Sequence, residues 1–571
     1  METNRLSSDG TARHADARWL RDLVLLVVFL GLLFGFALGN RALWTPDEGR
    51  YVEIPREMVV SGDYVTPRLN GVKYFEKPVL FYWLEAGAIR AFGISEWSTR
   101  LWPVLFSVLG CLAVYIAGRR LFDRRAGLLA ATVLATTPLY YVLGRVITLD
   151  MVVSVLLTLA LLAFLVGVRE PPGPVRRWYL WSFYVLAALA TLTKGLIGIV
   201  IPAMIIGAWI ILLWDWGLLL RIYLPTGLLL FLAVAAPWHI LAARANPEFA
   251  YFYFVHEHFL RYLTKVHRRY QPLWFFVPVL IAGMYPWTMF LIQGIRRALP
   301  ANWRDRRLQR EPLFLLLWAV LVLVFFSISD SKLIPYVLPV LPPLALLIGR
   351  YLSQEWDRSD ARHWRWAFGA MLAVGPVFAV TLLAAAGNMP DHPAVADAVK
   401  TLGGWFYAIV GALFMLGVVP FAVGWRHHRA GIIVTTLSSA IFLVVLTLSL
   451  PTLDAEYSVK ELALKLRERL KPTDEVMSYD AYYQDLPVYL ERRITVVNWQ
   501  GELKFGTQVE DASGWMIQDG EFLKRWLAPE RAYLFANRSD FDRLRTHVRG
   551  TFHEIAQVGD VVLATNKEDQ P

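Results

Sequence analysis

Acids, cations and aromatic rings crowd into a few short stretches of this chain. The densest is Asp47, Glu48, Arg50, Glu53, Arg56 and Glu57, directly after a long apolar run. Ionisable groups beside a membrane are costly unless solvated or paired. Asp47 and Glu48 follow Thr45 and Pro46, the pattern of a helix start with acids in its first turn. Glu53 and Arg56, three apart, can pair on that helix. A second stretch is Tyr74-Phe75-Glu76-Lys77-Pro78. A cation at a helix start could hold a phosphate, helped by the positive end of the helix; it could equally snorkel to lipid headgroups. Arg145 and Asp150 form a third, either a structural ion pair or a short polar site. A fourth runs from Phe254 to Tyr262 and holds His256, Glu257, His258 and Arg261. Two His and a Glu could ligate zinc, but the spacing is not His-Glu-x-x-His, and His256 and His258 would point apart on a helix. The fifth spans Ser329 to Pro339, with Pro342 and Pro343 beyond. Its prolines break a helix at membrane depth, which is tolerated where the backbone lines protein or a wet cavity. Lys332 and Tyr336, four apart, could face one site.

The elements that carry these stretches are membrane helices. The chain has 571 residues, 56% of them hydrophobic and 18% charged, against about a quarter charged in soluble domains. Aromatics reach 14%, with 23 Trp, which suits helices anchored at two wet interfaces. Apolar runs centre near Val28, Leu109, Val133, Leu159, Leu186, Ile205, Phe231, Ile281, Leu321, Leu341, Val374, Leu413 and Ile441. They predict a polytopic α-helical protein with about thirteen spans. The run Leu20 to Leu38 lacks a cleavage site and reads as a retained helix. Alternate loops carry the cations: Arg119, Arg120, Arg124 and Arg125; Arg169, Arg176 and Arg177; Arg296 to Arg310; Arg350 to Arg365; Arg426 and Arg429. The opposite short loops carry few: Arg145, Lys194 and Lys332. This bias predicts a cytoplasmic N-terminus and puts all five stretches on the other side.

Two long outer segments remain. Residues 41–100 form an ordered loop rich in aromatics, with Pro78 opening a helix through Phe92 too short to span. A long ordered loop is usually functional. Residues 1–450 then make the membrane domain. Residues 451–571 read as a small α/β domain on the outer side, with a helix around Leu464, Leu466 and Leu470. Its strands are expected at Val476–Tyr479, Ile494–Val497, Arg531–Phe535 and Val561–Ala564. It reads as a packing or lid module. A single cysteine, Cys111, excludes an intrachain disulfide, and the +10 net charge follows membrane topology rather than a nucleic-acid partner. Without a P-loop or dinucleotide glycine pattern, nothing supports a nucleotide cofactor.

Trp44-Thr45-Pro46-Asp47-Glu48-Gly49-Arg50-Tyr51, Phe75-Glu76-Lys77-Pro78, Thr148-Leu149-Asp150, Glu257-His258 with Arg261, and the stretch from Ser331-Lys332 to Pro343 together resemble the lipid A aminoarabinose transferases. These belong to the GT-C type membrane glycosyltransferases, which include the protein O-mannosyltransferases. The resemblance covers the membrane part and, more weakly, the outer domain. It implies a donor of 4-amino-4-deoxy-L-arabinose on undecaprenyl phosphate, a lipid A phosphate acceptor, and transfer at the periplasmic face of the inner membrane. Negative charge growing on the leaving phosphate in such a transfer makes Asp47, Asp150 and Lys77 the expected catalytic residues, with Lys77, Arg261, Tyr336, Arg50 and Lys332 binding substrate. Glu76 with His256 or His258 could hold a divalent metal such as zinc. Two other readings stay open: a polyprenyl-phosphate sugar transferase with a hydroxyl acceptor, and a flippase for lipid-linked sugars.

Overall fold

Apolar runs fold as helices because lipid offers no partner for a free backbone amide. The computed structural model describes residues 5–260, 271–358, 362–548 and 551–568. Every predicted run centre lies in a helix. Among the described residues, eight helices are long and apolar enough to cross a membrane, from Leu101–Leu121 to His428–Tyr457. A ninth candidate, Phe276–Gly283 with Trp287–Ala298, is bent by 102° at its break. The run near Val133 is shorter than expected. It divides into Arg124–Ala135 and Pro138–Leu143, because Thr137 before Pro138 takes an extended conformation that the proline ring favours.

Contacts tie the arginine-rich loops into one face. Arg124 reaches Asp22 of the first helix, Arg5–Gly35, and Arg120 approaches Glu170. Arg169 approaches Glu311, Arg297 reaches Glu355, and Asp357 takes both Arg125 and Arg429. The expected charge asymmetry is therefore a spatial one.

At the opposite end, the 41–100 segment folds into helix Asp47–Ser61, a tight hairpin of β1 (Arg68–Leu69) and β2 (Val72–Lys73), and helix Leu80–Phe92. The C-terminal domain is a six-stranded sheet in the order β5-β4-β3-β6-β8-β7. The four expected strands are present as β3 (Glu475–Tyr479), β4 (Thr495–Val497), β6 (Ala532–Asn537) and β8 (Val561–Thr565). Two strands lacked a sequence signal: β5 (Met516–Ile517) is very short, and edge strand β7 (His553–Val558) buries no residue fully. Strands β5, β4, β3 and β6 run parallel, β8 pairs antiparallel to β6, and edge strand β7 pairs antiparallel to β8.

This domain is clamped onto the outer loop. Arg68 forks onto Glu510 at 2.8 and 2.9 Å. Asn70 bonds the backbone of Ile494 in both directions. Asp454 accepts from the Trp44 indole and the Ala42 amide, and Leu43 N donates to the Tyr489 hydroxyl. Gly49 lies directly against the Gln484–Asp485 backbone, where any Cβ would sit 2.4 Å from the Asp485 nitrogen. Only glycine allows that approach.

Candidate active site

Asp47 and Glu48 open the same helix and, being adjacent, point in different directions. Glu48 turns inward and is 1% exposed. Arg41 bonds both its oxygens at 2.5 and 2.8 Å, Arg100 does so at 2.8 and 3.2 Å, and the amides of Trp44 and Ile147 add to them. Burial alone would raise the Glu48 carboxyl, but the charges of Arg100 and Arg41 outweigh it and hold the group far below the carboxylate range. Glu48 is thus a structural knot between the segment after the first helix, the start of helix Leu101–Leu121 and the 145–148 turn. Arg145 belongs to the same neighbourhood. Its guanidinium caps the carbonyls of Phe34, Phe36 and Ala37 at the end of the first helix.

Asp47 turns outward, with its side chain 58% exposed, and accepts from Arg50 at 2.7 Å. Arg50 is buried and reaches the Tyr74 hydroxyl at 3.2 Å. It also reaches Glu502 of the C-terminal domain at 2.8 Å. Gln484 holds the other Glu502 oxygen at 3.0 Å and is itself bonded to Thr45. Burial raises the Glu502 carboxyl, Arg50 opposes this, and the charges of Glu76 and Asp47 add to it. Burial also raises the Tyr51 hydroxyl; Arg50 opposes it, while Tyr82, Asp47 and Asp150 push the same way. Tyr51 itself stacks on Tyr82 and meets Phe81 edge-on. Residues from four separate stretches therefore share one electrostatic neighbourhood around Arg50 and Tyr51.

Of the two readings open for Arg145 and Asp150, the ion pair does not form. Asp150 stands in the first turn of helix Leu149–Gly167 and pairs with Lys194, at the end of helix Pro174–Lys194. The helix end explains the swap: a cation there is favoured by the helix dipole, while Arg145 is committed to carbonyls. The Lys194 ammonium also lies 4.6 Å from the Tyr336 ring centre. Tyr336 packs in turn on Phe326. Lys332 is buried and donates to the carbonyls of Gln271 and Ser329 at 2.8 and 2.6 Å, so it ties its own loop to the chain at Gln271.

Lys77 follows Glu76 in the turn before helix Leu80–Phe92 and donates to the Glu76 carbonyl at 2.8 Å. The Glu76 charge acts on Tyr74, Tyr82 and Glu502, which puts this turn beside Arg50. His256 lies in a π-helix, Tyr251–Leu260, and stacks on Phe252. Phe252 in turn stacks on Phe505 of the C-terminal domain, 3.7 Å between centres. Arg261 and the His258 side chain lie outside the described residues. Among the described residues no three His, Cys, Asp or Glu side chains gather as a metal site, so Glu76 and His256 are at most two ligands of one.

Comparison with known proteins decides the family. Residues 76–241 match the model for dolichyl-phosphate-mannose-protein mannosyltransferase, and residues 462–566 match the aminoarabinose transferase C-terminal domain. The undecaprenyl phosphate-alpha-4-amino-4-deoxy-L-arabinose arabinosyl transferase 1 of Sodalis glossinidius is 31% identical over 525 residues, 89% of this chain and 90% of that protein. The chain belongs to the aminoarabinose arabinosyl transferase family. The corresponding enzyme of Erwinia tasmaniensis is 30% identical over 90% of this chain and 92% of its own length. The crystal structure of ArnT from Cupriavidus metallidurans bound to undecaprenyl phosphate superposes with a TM-score of 0.84 at 28% identity, covering 95% of this chain and 98% of that one.

Within this aminoarabinose transferase, sequence reading missed Lys194 and Glu502. Lys194 closes an apolar run and looks like an isolated snorkelling cation. The signal available was its position in a sparsely charged outer loop, shared with Lys332 and Arg145. Glu502 sits in a turn of the C-terminal domain, hundreds of residues from Arg50, and no local pattern marks it. The domain packs on the outer loop and brings this carboxylate to the cluster.

Proposed function

We propose that this protein moves 4-amino-4-deoxy-L-arabinose from undecaprenyl phosphate to a phosphate of lipid A, at the periplasmic face of a bacterial inner membrane. The family membership and the ArnT-like fold support the donor and the sugar. The arginine-rich face is the cytoplasmic one, the N-terminus lies there, and about thirteen helices cross or enter the bilayer. Residues 1–450 hold the reaction and residues 451–571 close over it. The product carries less negative charge and binds polymyxin and other cationic peptides less well.

One observation carries the chemistry: cations and acids from separate segments surround a buried aromatic patch at a single end of the helices. In the transfer, the bond between the sugar anomeric carbon and the donor phosphate oxygen breaks. That oxygen keeps the electron pair, and a lipid A phosphate oxygen bonds to the carbon. Negative charge grows on the leaving phosphate, so a cation there acts most strongly in the transition state. Lys77 takes this role, with Arg261 as a second cation and the Tyr336 hydroxyl as a further donor. The acceptor is a phosphate monoester with a second pKa of about 6, already ionised near neutral pH, so no strong base is required. Asp47 orients the acceptor and offsets positive charge developing on the sugar. Asp150, held by Lys194, stabilises the donor side. Asp47 and Glu502 share the Arg50 guanidinium, an arrangement that suits the sugar amine, which is cationic near neutral pH. Arg50 sets their positions, and Lys332 holds its loop beside Tyr336. Glu76 and His256 are the residues that would hold a divalent cation; bound there, it would fix the 249–256 segment against the 76–77 turn.

The test is transfer by purified protein, with extracted lipid A and the lipid-linked aminoarabinose. Mass spectrometry should show lipid A gaining the sugar, and Lys77→Ala should cut the rate by about a hundredfold or more. An unchanged rate would remove Lys77 from the site. Donor flipping without any glycosylated product would favour a transporter instead.

A further inference from the structure

The arginine-rich face has a cavity of its own, of about 250 Å³, lined by Arg120, Leu121, Val166, Arg169 and Glu170. It lies where helices Leu101–Leu121 and Leu149–Gly167 end and helix Pro174–Lys194 begins. We infer that this cavity binds the headgroup phosphate of an anionic phospholipid.

Its geometry fits that ligand. Leu121 and Val166 give it an apolar wall, while both guanidiniums stay accessible: the Arg120 side chain is 49% exposed and that of Arg169 is 39%. Arg169 is fixed by the carbonyls of Arg120 and Leu121, at 3.2 and 3.1 Å. It therefore caps a helix end while facing the cavity. Arg120 rests over the Tyr179 ring, which steadies it. Its only ion partner among the described contacts is Glu170, at 3.5 Å and part-exposed. Exposed pairs of this kind contribute little, so an incoming phosphate can take the guanidinium at small cost. The acids nearby, Glu170 and Glu311, offset part of the charge of the two guanidiniums. A doubly charged soluble anion would gain less there than a phosphodiester that also buries apolar surface.

The level in the membrane selects lipid over free phosphate. Trp178, next to Tyr179, is 65% exposed and packs edge-on with Trp181, and Arg177 lies over Trp181. Exposed indoles and arginines at a helix start mark the headgroup layer. A phospholipid seated there extends its chains along the apolar helices below, whereas inorganic phosphate has no second contact. Basic pockets between membrane helices take anionic headgroups.

Native mass spectrometry of the delipidated full-length protein tests this, with phosphatidylglycerol, phosphatidylcholine or sodium phosphate added. Phosphatidylglycerol should be retained in preference to phosphatidylcholine. Arg120→Gln should lower that retention about fivefold, and Glu170→Gln, which removes the competing acid, should raise it. A general loss of packing would move both variants the same way. Equal retention of the two lipids, an unchanged Arg120→Gln, a Glu170→Gln that weakens binding, or displacement by equimolar inorganic phosphate would each overturn the proposal. Should Arg120→Gln not fold, the sign of the Glu170→Gln effect decides alone.

Discussion

Asp47 and Glu48 are neighbours in sequence, and the two clusters they enter are built from the same residue types to opposite ends. Around Glu48, two guanidiniums and two backbone amides converge on one carboxylate. Donors are in excess there, water is excluded, and the charge is fixed in its ionised form. Around Arg50 the balance reverses: Asp47 and Glu502 share one guanidinium, with Glu76 close enough to act on Glu502. The first arrangement is saturated and can only hold structure. The second has acceptor capacity left for a cationic group and an exposed acid at its rim. Buried, satisfied charge positions the chain; incompletely balanced charge at a boundary is where a substrate can enter.

Breaking the saturated cluster should have the largest effect. Glu48→Gln leaves Arg41 and Arg100 buried without their counter-charge, and removing one partner of a buried pair costs about 3–5 kcal/mol. Thermal unfolding in detergent should show the loss, along with poor recovery of folded protein. A melting point within a degree of wild type would mean that this cluster is not structural. Next comes Gly49→Ala, which forces a methyl into the Gln484–Asp485 backbone. The clash should lift the C-terminal domain and take Glu502 from Arg50. We expect faster proteolysis between the two parts and a rate reduced by about tenfold or more, in the range of a misplaced active-site group.

A smaller effect tests the hinge of the comparison, Glu57. Burial and the neighbouring Glu53 push its carboxyl up to about 8, against the opposing charge of Arg56. A raised folded pKa means the native state holds the proton more tightly than the unfolded chain. The stabilisation is therefore complete below the unfolded value of about 4.3 and is lost as pH rises through 8. Melting points should fall by about a few degrees as pH climbs through that window, and Glu57→Gln should flatten the profile. An unchanged slope in the variant would assign the pH dependence elsewhere.

Much of this was legible in the sequence because the bilayer enforces it. Every apolar run marked a helix, and the arginine bias separated the two faces. Acids after Thr45-Pro46 marked a helix start, and the Glu53–Arg56 spacing gave a pair that forms at 2.6 Å. Helix lengths were less legible, because breaks depend on single residues such as Pro138 and Pro286 within apolar runs. Partners across the fold were least so. Arg145 and Asp150 are close in sequence, yet the chain spends one on helix carbonyls and the other on Lys194. Glu502 reaches Arg50 only because the β1–β2 hairpin and Gly49 dock a whole domain, a relation that no local period encodes.

The smallest expected effect is the most discriminating for Asp47. If the acceptor is a phosphate monoester, it arrives ionised near neutral pH and needs no base. Asp47→Asn keeps an oxygen able to accept from Arg50 and should slow transfer by less than about tenfold at pH 7.5. A hydroxyl acceptor would lose about 10²–10⁴ with its base. Below the phosphate's second pKa of about 6 the acceptor retains a proton that must leave during attack. The ratio of wild-type to variant rate should therefore widen as pH falls through 6, with initial rates followed by mass spectrometry. A large ratio that stays constant with pH would make Asp47 an obligate base, and the excess of acid around Arg50 would then serve proton removal rather than amine recognition.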